Sequence, residues 1–427
     1  MTRRRLLLAA AAAVVLALGA AVAYVLVKRQ GAADVTGSPT EEFVSTAEPA
    51  PKPPPRSKPS TSPLAEGIAW PTWGYANDRV RISPYAHRPP FRVRWRFPGR
   101  QLLEFPPAVA FGRLYFSNNP GMTFAVRTRD GKLAWRRDAR RCTASSPAVA
   151  GRTVYQAYLN APPCNSARSP FSLDGQVVAY DALTGKVRWR TTLGPTESSP
   201  LVADGRVYVG DWRGDVVALD ARTGRRLWSF RTGGRVKGAV AKSGGRLFVG
   251  AYDGSLYALR ASTGALLWRS SAQDRLGGRG NFYSTPAIAY GRVFVGNTDG
   301  KVYAFGATTG NLLWSSSTGG FVYSSPAVWR RLVFAGSYAG KVVALDAATG
   351  ATRWEYRTNG PVSGAPTVMA GLVYAASLRE RTVALDAQTG RLVWSFPDGK
   401  YTPLVADRDR PYLVGHARVY ALEPRRP

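Results

Sequence analysis

The sequence predicts an all-β protein, an eight-bladed β-propeller of four-stranded antiparallel blades, and three observations carry that prediction. An eleven-residue phrase, Ala218-Leu219-Asp220-Ala221-Arg222-Thr223-Gly224-Arg225-Arg226-Leu227-Trp228, returns in worn form about every 40 residues. Inside each repeat, short alternating strands are joined by glycine turns. The two ends of the repeat region are incomplete, and each supplies what the other lacks.

The phrase ends at Trp135, Trp189, Trp228, Trp268, Trp314, Trp354 and Trp394, with gaps of 54, 39, 40, 46, 40 and 40 residues. Trp95 stands 40 residues before Trp135 without the phrase ahead of it. The unit from Pro326 to Tyr356 shows the reading: strands at Pro326, Leu332, Lys341 and Thr352, with turns at Ala339-Gly340 and Thr349-Gly350. Glycine accepts the positive φ that such tight turns need. Asp346 is placed to cap the amides of the second turn. A sheet with two apolar faces cannot bury them alone, so the units must stack. After Pro403 the chain has three strands and no tryptophan strand, whereas Phe91–Phe97 is a lone strand carrying Trp95. Joined, they make the eighth blade and close the ring, which removes exposed sheet edges.

The pattern Ala-x-Asp-x-x-Thr-Gly-x-x-x-Trp resembles the tryptophan-docking repeat of the pyrroloquinoline-quinone (PQQ) repeat propellers, over roughly residues 70–423. That group includes quinoprotein alcohol dehydrogenases and the barrel-assembly scaffold BamB. The resemblance implies that Trp95, Trp135, Trp189, Trp228, Trp268, Trp314, Trp354 and Trp394 dock each blade on its neighbour. The group's dehydrogenases hold calcium with Glu, Asn and Asp around the quinone, use an Asp base and carry a disulfide between adjacent cysteines. This chain has no adjacent cysteines, and its acids match no such motif. No cofactor, no metal and no catalytic residue is therefore expected, and the repeat names a fold.

Ahead of the repeats, Thr2-Arg3-Arg4-Arg5 precedes an unbroken apolar run, Leu6–Val27, closed by Lys28-Arg29. Twenty-two such residues suffice for a single transmembrane helix. The basic tip predicts a cytoplasmic N-terminus and an extracytoplasmic remainder at the cell membrane. Ala21-Val22-Ala23 offers the alternative of cleavage and secretion, against which the apolar run continues past the site. The expected organisation is thus residues 1–30 as tip and signal anchor, 31–69 as a Pro-rich flexible linker and 70–427 as the propeller.

Two long gaps mark insertions, Tyr158–Ser172 in the second blade and Gln273–Asn281 before the fifth. Cys142 and Cys164 lie near the first, and outside the cytoplasm such a pair reads as a disulfide. A zinc site would need more ligands than His87 and His416 add.

Loops leading into the blades end in Ser-Ser/Thr-Pro, as at Pro200, Pro286 and Pro326. Three residues before the aligned proline position stand Glu104, Ala144, Glu197, Val236, Tyr283, Tyr323, Ser363 and Lys400. In a ring these line one opening, so Glu104, Glu197, Lys237, Tyr283, Tyr323 and Lys400 form the candidate binding mouth. The small hydroxyls there serve crowded backbone.

Residues 64–427 carry 50 of the 58 basic and 23 of the 27 acidic residues, a surplus of 27 positive charges. Such a surface attracts anions in a salt-dependent way. Export excludes nucleic acid and leaves envelope proteins or anionic wall and lipid polymers as partners of a monomer. These features together predict a non-enzymatic, membrane-anchored scaffold of the BamB kind. The alternatives are a divergent PQQ-dependent oxidoreductase and a module that senses cell-wall polymer or carbohydrate.

Overall fold

The computed structural model describes residues 13–19, 32–44, 67–164, 172–274, 278–401 and 404–425. Among these, eight antiparallel sheets form the blades. A typical blade, the fifth, runs Ala287–Ala289, Arg292–Gly296, Lys301–Gly306 and Leu312–Ser317 from the axis outward. Its second and third strands are buried on both faces, as sheets sandwiched between neighbours must be. The eighth blade is composite: Phe91–Pro98 pairs with Arg418–Pro424, setting Trp95 opposite Ala421 and Phe97 opposite Val419. The two chain ends therefore close the ring.

The repeated phrase is a dovetail between blades. The indole Nε1 of Trp314 donates to the Ala347 carbonyl of the next blade at 3.1 Å, and Trp135, Trp189, Trp228, Trp268 and Trp354 repeat the bond. Trp95 uses Thr128 instead. The same ring lies on the glycine of the next phrase: a Cβ on Gly350 would stand 2.8 Å from the Trp314 ring, and its φ is +77°. Glycine is needed there twice, for the turn and for the indole. Asp346 Oδ1 accepts from the Ala348 and Thr349 amides, at 2.9 Å each, and holds the turn shut. Trp394 faces the composite blade, where the chain ends replace the turn, and packs edge-on against Phe91 at 5.4 Å.

Residues 67–83 do something the repeat pattern does not announce. They wind round the inside of the ring and bond to one innermost strand after another. Carbonyls of Gly67, Pro71, Asn77, Asp78, Val80 and Arg81 accept from the amides of Phe111, Val149, Lys242, Ile288, Val328 and Val368, which belong to blades one, two, four, five, six and seven. The third blade is reached through Thr72 Oγ1, 3.1 Å from the Pro200 carbonyl. Ile68–Trp70 also adds a fifth, innermost strand to the first blade. Arg79 and Arg81 are fully buried and saturate backbone carbonyls, Arg79 Nε donating to Val240 at 3.1 Å and Arg81 Nη1 to Pro326 at 2.9 Å. Burial pulls Arg79 down to about 9, with Asp78 opposing. This segment plugs the channel.

The linker expectation requires correction. Residues 32–44 are not a free stalk; they are a strap laid over the seam of blades five and six. The Val35 carbonyl accepts from the Ser315 amide and the Val35 amide donates to Ser315 Oγ, Gly37 donates to the Thr349 carbonyl, and Val44 donates to the Tyr290 carbonyl. Phe43 stacks on Tyr290 at 5.1 Å. Arg292, fully buried, donates to the carbonyls of Ala347 and Ala348 in the blade and of Ser38 and Glu41 in the strap. The physical reason is that the seam offers unmet carbonyls and a cation, which a polar segment satisfies better than water does. Most of the expected membrane span lies outside the described residues. Residues 13–19 are helical, and no helix among the described residues is long and apolar enough to cross a membrane.

Candidate active site

One end of the channel stays open above the plug. Its rim is built twice per blade, from the loop leading in and from the turn between the second and third strands. One backbone bond staples the two: the amides of Trp212, Tyr252, Thr298 and Tyr338 donate to the carbonyls of Pro195, Arg235, Asn281 and Phe321 at 2.8–3.0 Å. Side chains from both loops are thereby held in one row.

Five of the expected mouth residues, Glu104, Glu197, Lys237, Tyr283 and Tyr323, line a single cavity of about 50 Å³. Lys400 lies outside it, 3.7 Å from Glu380 on the outer rim, and its neighbour Tyr401 takes the inner place. The reason is local: Glu380, whose Oε1 also accepts from His416 Nδ1 at 2.6 Å, draws the ammonium outward. Trp73 from the plug lines the cavity with Phe105, the rings meeting edge to face at 5.4 Å.

The electrostatics of this cavity are asymmetric. Lys237 Nζ stands 3.4 Å from Glu197 and 4.3 Å above the Trp212 ring. Tyr252 and Tyr283 flank the same ammonium at 5.5 and 5.8 Å. Burial raises both carboxyls. Glu104 is pushed up to about 7 by burial first and by the neighbouring Glu197 second, with Lys237 opposing. Glu197 is also raised by burial, but Lys237 works directly against that shift. Both carboxyls are therefore harder to ionise than a free glutamate, and Lys237, in contact with Glu197, favours the charged form of that residue. Glu197 Oε2 is a buried acceptor with no hydrogen-bond partner among the described residues. Burial pushes Tyr401 up to about 12 and Tyr283 well above the phenol range. These hydroxyls stay protonated.

PQQ is planar, tricyclic and anionic, and the residues present do not fit it. A cavity of about 50 Å³ admits a few waters and one small group, whereas sites for ligands of that size run to about 300 Å³ and above. Its nearest cation, Lys237, is already committed to Glu197. Among the described residues no three His, Cys, Asp or Glu side chains gather to hold a metal ion.

Cys142 and Cys164 form a disulfide, with an S–S distance of 2.04 Å, that ties the second-blade insertion back to the loop leading into that blade. The sequence reading missed Trp73, Trp212, Tyr252, Tyr338 and Tyr401. Three of these carried a signal: Trp212, Tyr252 and Tyr338 all stand two residues before the turn glycines Gly214, Gly254 and Gly340.

Comparison with known proteins adds family and chemistry. A family model described as outer membrane protein assembly factor BamB matches residues 166–235 and 212–425, more than half of the chain. A polyvinylalcohol dehydrogenase of Sphingopyxis sp. (strain 113P3) is 26% identical over 203 residues, 41% of this chain and 30% of the relative. A tetrathionate hydrolase of Acidithiobacillus ferrooxidans is 25% identical over 191 residues, 40% of this chain and 38% of the relative. The chain thus spans about a third of the length of these curated relatives. The crystal structure of BamB from Moraxella catarrhalis superposes with a TM-score of 0.63 at 20% identity, over 78% of this chain and 97% of that one. These findings overturn the expectation of a non-enzymatic scaffold, because the curated relatives that match are named as enzymes. The two buried acids, Glu104 and Glu197, lie 93 residues apart in sequence, on the loops leading into the first and third blades.

Proposed function

From the premise that this chain belongs to the PQQ-repeat β-propeller family, we propose that it is an enzyme whose active site is the open mouth of the ring. The reaction class is hydrolysis by general acid–base catalysis. The observation that carries this reading is that Glu104, a buried carboxyl raised to about 7, lines one cavity with the Glu197–Lys237 pair. Glu197 accepts a proton from water as the water attacks the substrate. Glu104 gives its proton to the leaving oxygen as that bond breaks. Atoms and charge balance without a further reactant, and the two acids exchange roles to reset the site. Lys237 is a positioning residue that keeps the charge on Glu197, and the tyrosines shape the walls. The tetrathionate hydrolase relative supports hydrolytic chemistry on a related propeller. The Cys142–Cys164 disulfide and the basic-then-apolar N-terminus support a location outside the cytoplasm.

The test is hydrolysis of a panel of oxygen-linked substrates with poor leaving groups, by the wild type and Glu104→Gln. Loss of about 10²–10⁴-fold in the variant is expected, the range general acid–base catalysis supplies. Equal rates for the two proteins would end the proposal. A second reading, alcohol oxidation with added quinone, is favoured by the polyvinylalcohol dehydrogenase relative. Alcohol-dependent dye reduction after addition of PQQ and calcium would select it, and would require the cavity to open.

A further inference from the structure

The mouth continues outward along an aromatic arc. From the cavity, Tyr283 meets Tyr323 at 5.0 Å, and Tyr323 meets Tyr338 at 4.9 Å and Phe321 at 6.1 Å. Phe321 ends the row with 49% of its surface exposed. One half of this phenylalanine packs on Tyr323 and Tyr338, and the other half is apolar surface left to solvent at the rim, where such surface marks contact with something else. Beside it lies a groove of about 470 Å³, lined by Tyr252, Asp253, Arg279, Asn281, Phe321 and Tyr323. Tyr323 lines both the groove and the acid cavity, so the two are neighbours across one side chain. The groove's volume lies in the range of ordinary ligand sites, about 300–1,000 Å³.

Its chemistry is mixed in an informative way. Aromatic faces alternate with a carboxylate, an amide and a guanidinium, the groups that hold hydroxyls. Arg235 lies over the Trp212 ring at 5.4 Å and Lys237 at 4.3 Å, so cations edge the aromatic row where it enters the cavity. The whole chain carries a formal charge of +31, which repels a cationic ligand and draws an anionic one. A row of rings suits a chain of flat-faced units better than a single small molecule.

We infer that this arc is the substrate-binding cleft for an acidic polysaccharide. Sugar rings lie with their C–H faces on Phe321 and Tyr323, their hydroxyls meet Asp253 and Asn281, and their carboxylates meet Arg235 and Arg279. The inference rests on the hydrolytic reading of the mouth, for it sets the chain's cleavable link at the entrance of the small cavity of Glu104 and Glu197, which itself has room for the attacking water.

Binding is measured by fluorescence titration of the full chain carrying Glu104→Gln, so that nothing is cleaved. The probes are polygalacturonate, its methyl-esterified form and inorganic polyphosphate, each at low and high salt. Phe321→Ala should weaken polygalacturonate about tenfold, the scale of stacking one ring on an aromatic side chain, and leave polyphosphate unchanged. Arg235→Gln should erase the preference for polygalacturonate over its ester. An unchanged affinity in Phe321→Ala, or an equal loss for polyphosphate, overturns the cleft and leaves only a basic surface. Tight, Phe321-dependent binding with no cleavage by the wild type would instead sink the hydrolytic reading while the cleft stands.

Discussion

Replacing Glu104 with glutamine should change how stability depends on pH, apart from any effect on activity. In the folded protein burial and the Glu197 charge raise this carboxyl to about 7, against an ordinary value of 4.5. The folded state then binds more protons than the unfolded state between those values, so the group's contribution to stability is complete below about 4.5 and is lost as pH rises through 7. A gap of that size corresponds to about 3 kcal/mol, at 1.36 kcal/mol for each pH unit. Glutamine keeps the shape and cannot ionise. The difference in unfolding free energy between Glu104→Gln and wild type should therefore move by about 3 kcal/mol in the variant's favour between mildly acid and mildly alkaline pH. Equilibrium urea unfolding of both proteins across that window reads it directly. A difference that stays constant with pH would mean that Glu104 is solvated or already ionised, and the assignment of the acid would fall with it.

The remaining predictions probe the joints of the ring. Gly350→Ala forces a Cβ against the Trp314 indole at a φ of +77° and should lower thermal stability by several degrees, whereas the same change at Gly245, which has open space around it, should leave it within experimental error. Trp314→Ala should cost about 3–5 kcal/mol, the range for truncating a buried large aromatic side chain, read by denaturant unfolding. Arg292→Met should release the strap, because it strips donors from carbonyls on both sides of the seam; limited proteolysis should then cut within 32–44 while the ring stays intact.

The ring itself was legible because its information is local and repeated. Alternating apolar residues give each strand, turn glycines give each hairpin, and one incomplete blade at each end announces closure. Phe91–Pro98 against Arg418–Pro424 required no more than counting. The mouth was partly legible for the same reason: repeat alignment placed Glu104, Glu197, Tyr283 and Tyr323 at equivalent stations, and a symmetric fold converts equivalent stations into a circle. The alignment failed at Lys400, where one carboxylate outside the repeat pattern, Glu380, turned the side chain away.

Residues 32–44 and 67–83 have no periodicity, and composition alone made the first part of a flexible linker and gave the second no role of its own. Their places depend on carbonyls and amides that exist only after the blades have assembled: Arg292 finds its acceptors at a seam, and Arg79 finds its own on the channel wall. The raised Glu104 carboxyl belongs to the same class, since its cause is enclosure first and the neighbouring Glu197 second. What the chain determined by itself was the blade, the number of blades and how they lock, because strand period and turn chemistry act over a few residues. What tertiary structure alone decided was which end of the channel is sealed and which acids are buried beside it, because desolvation and long-range hydrogen bonds are properties of a closed ring and of no single repeat.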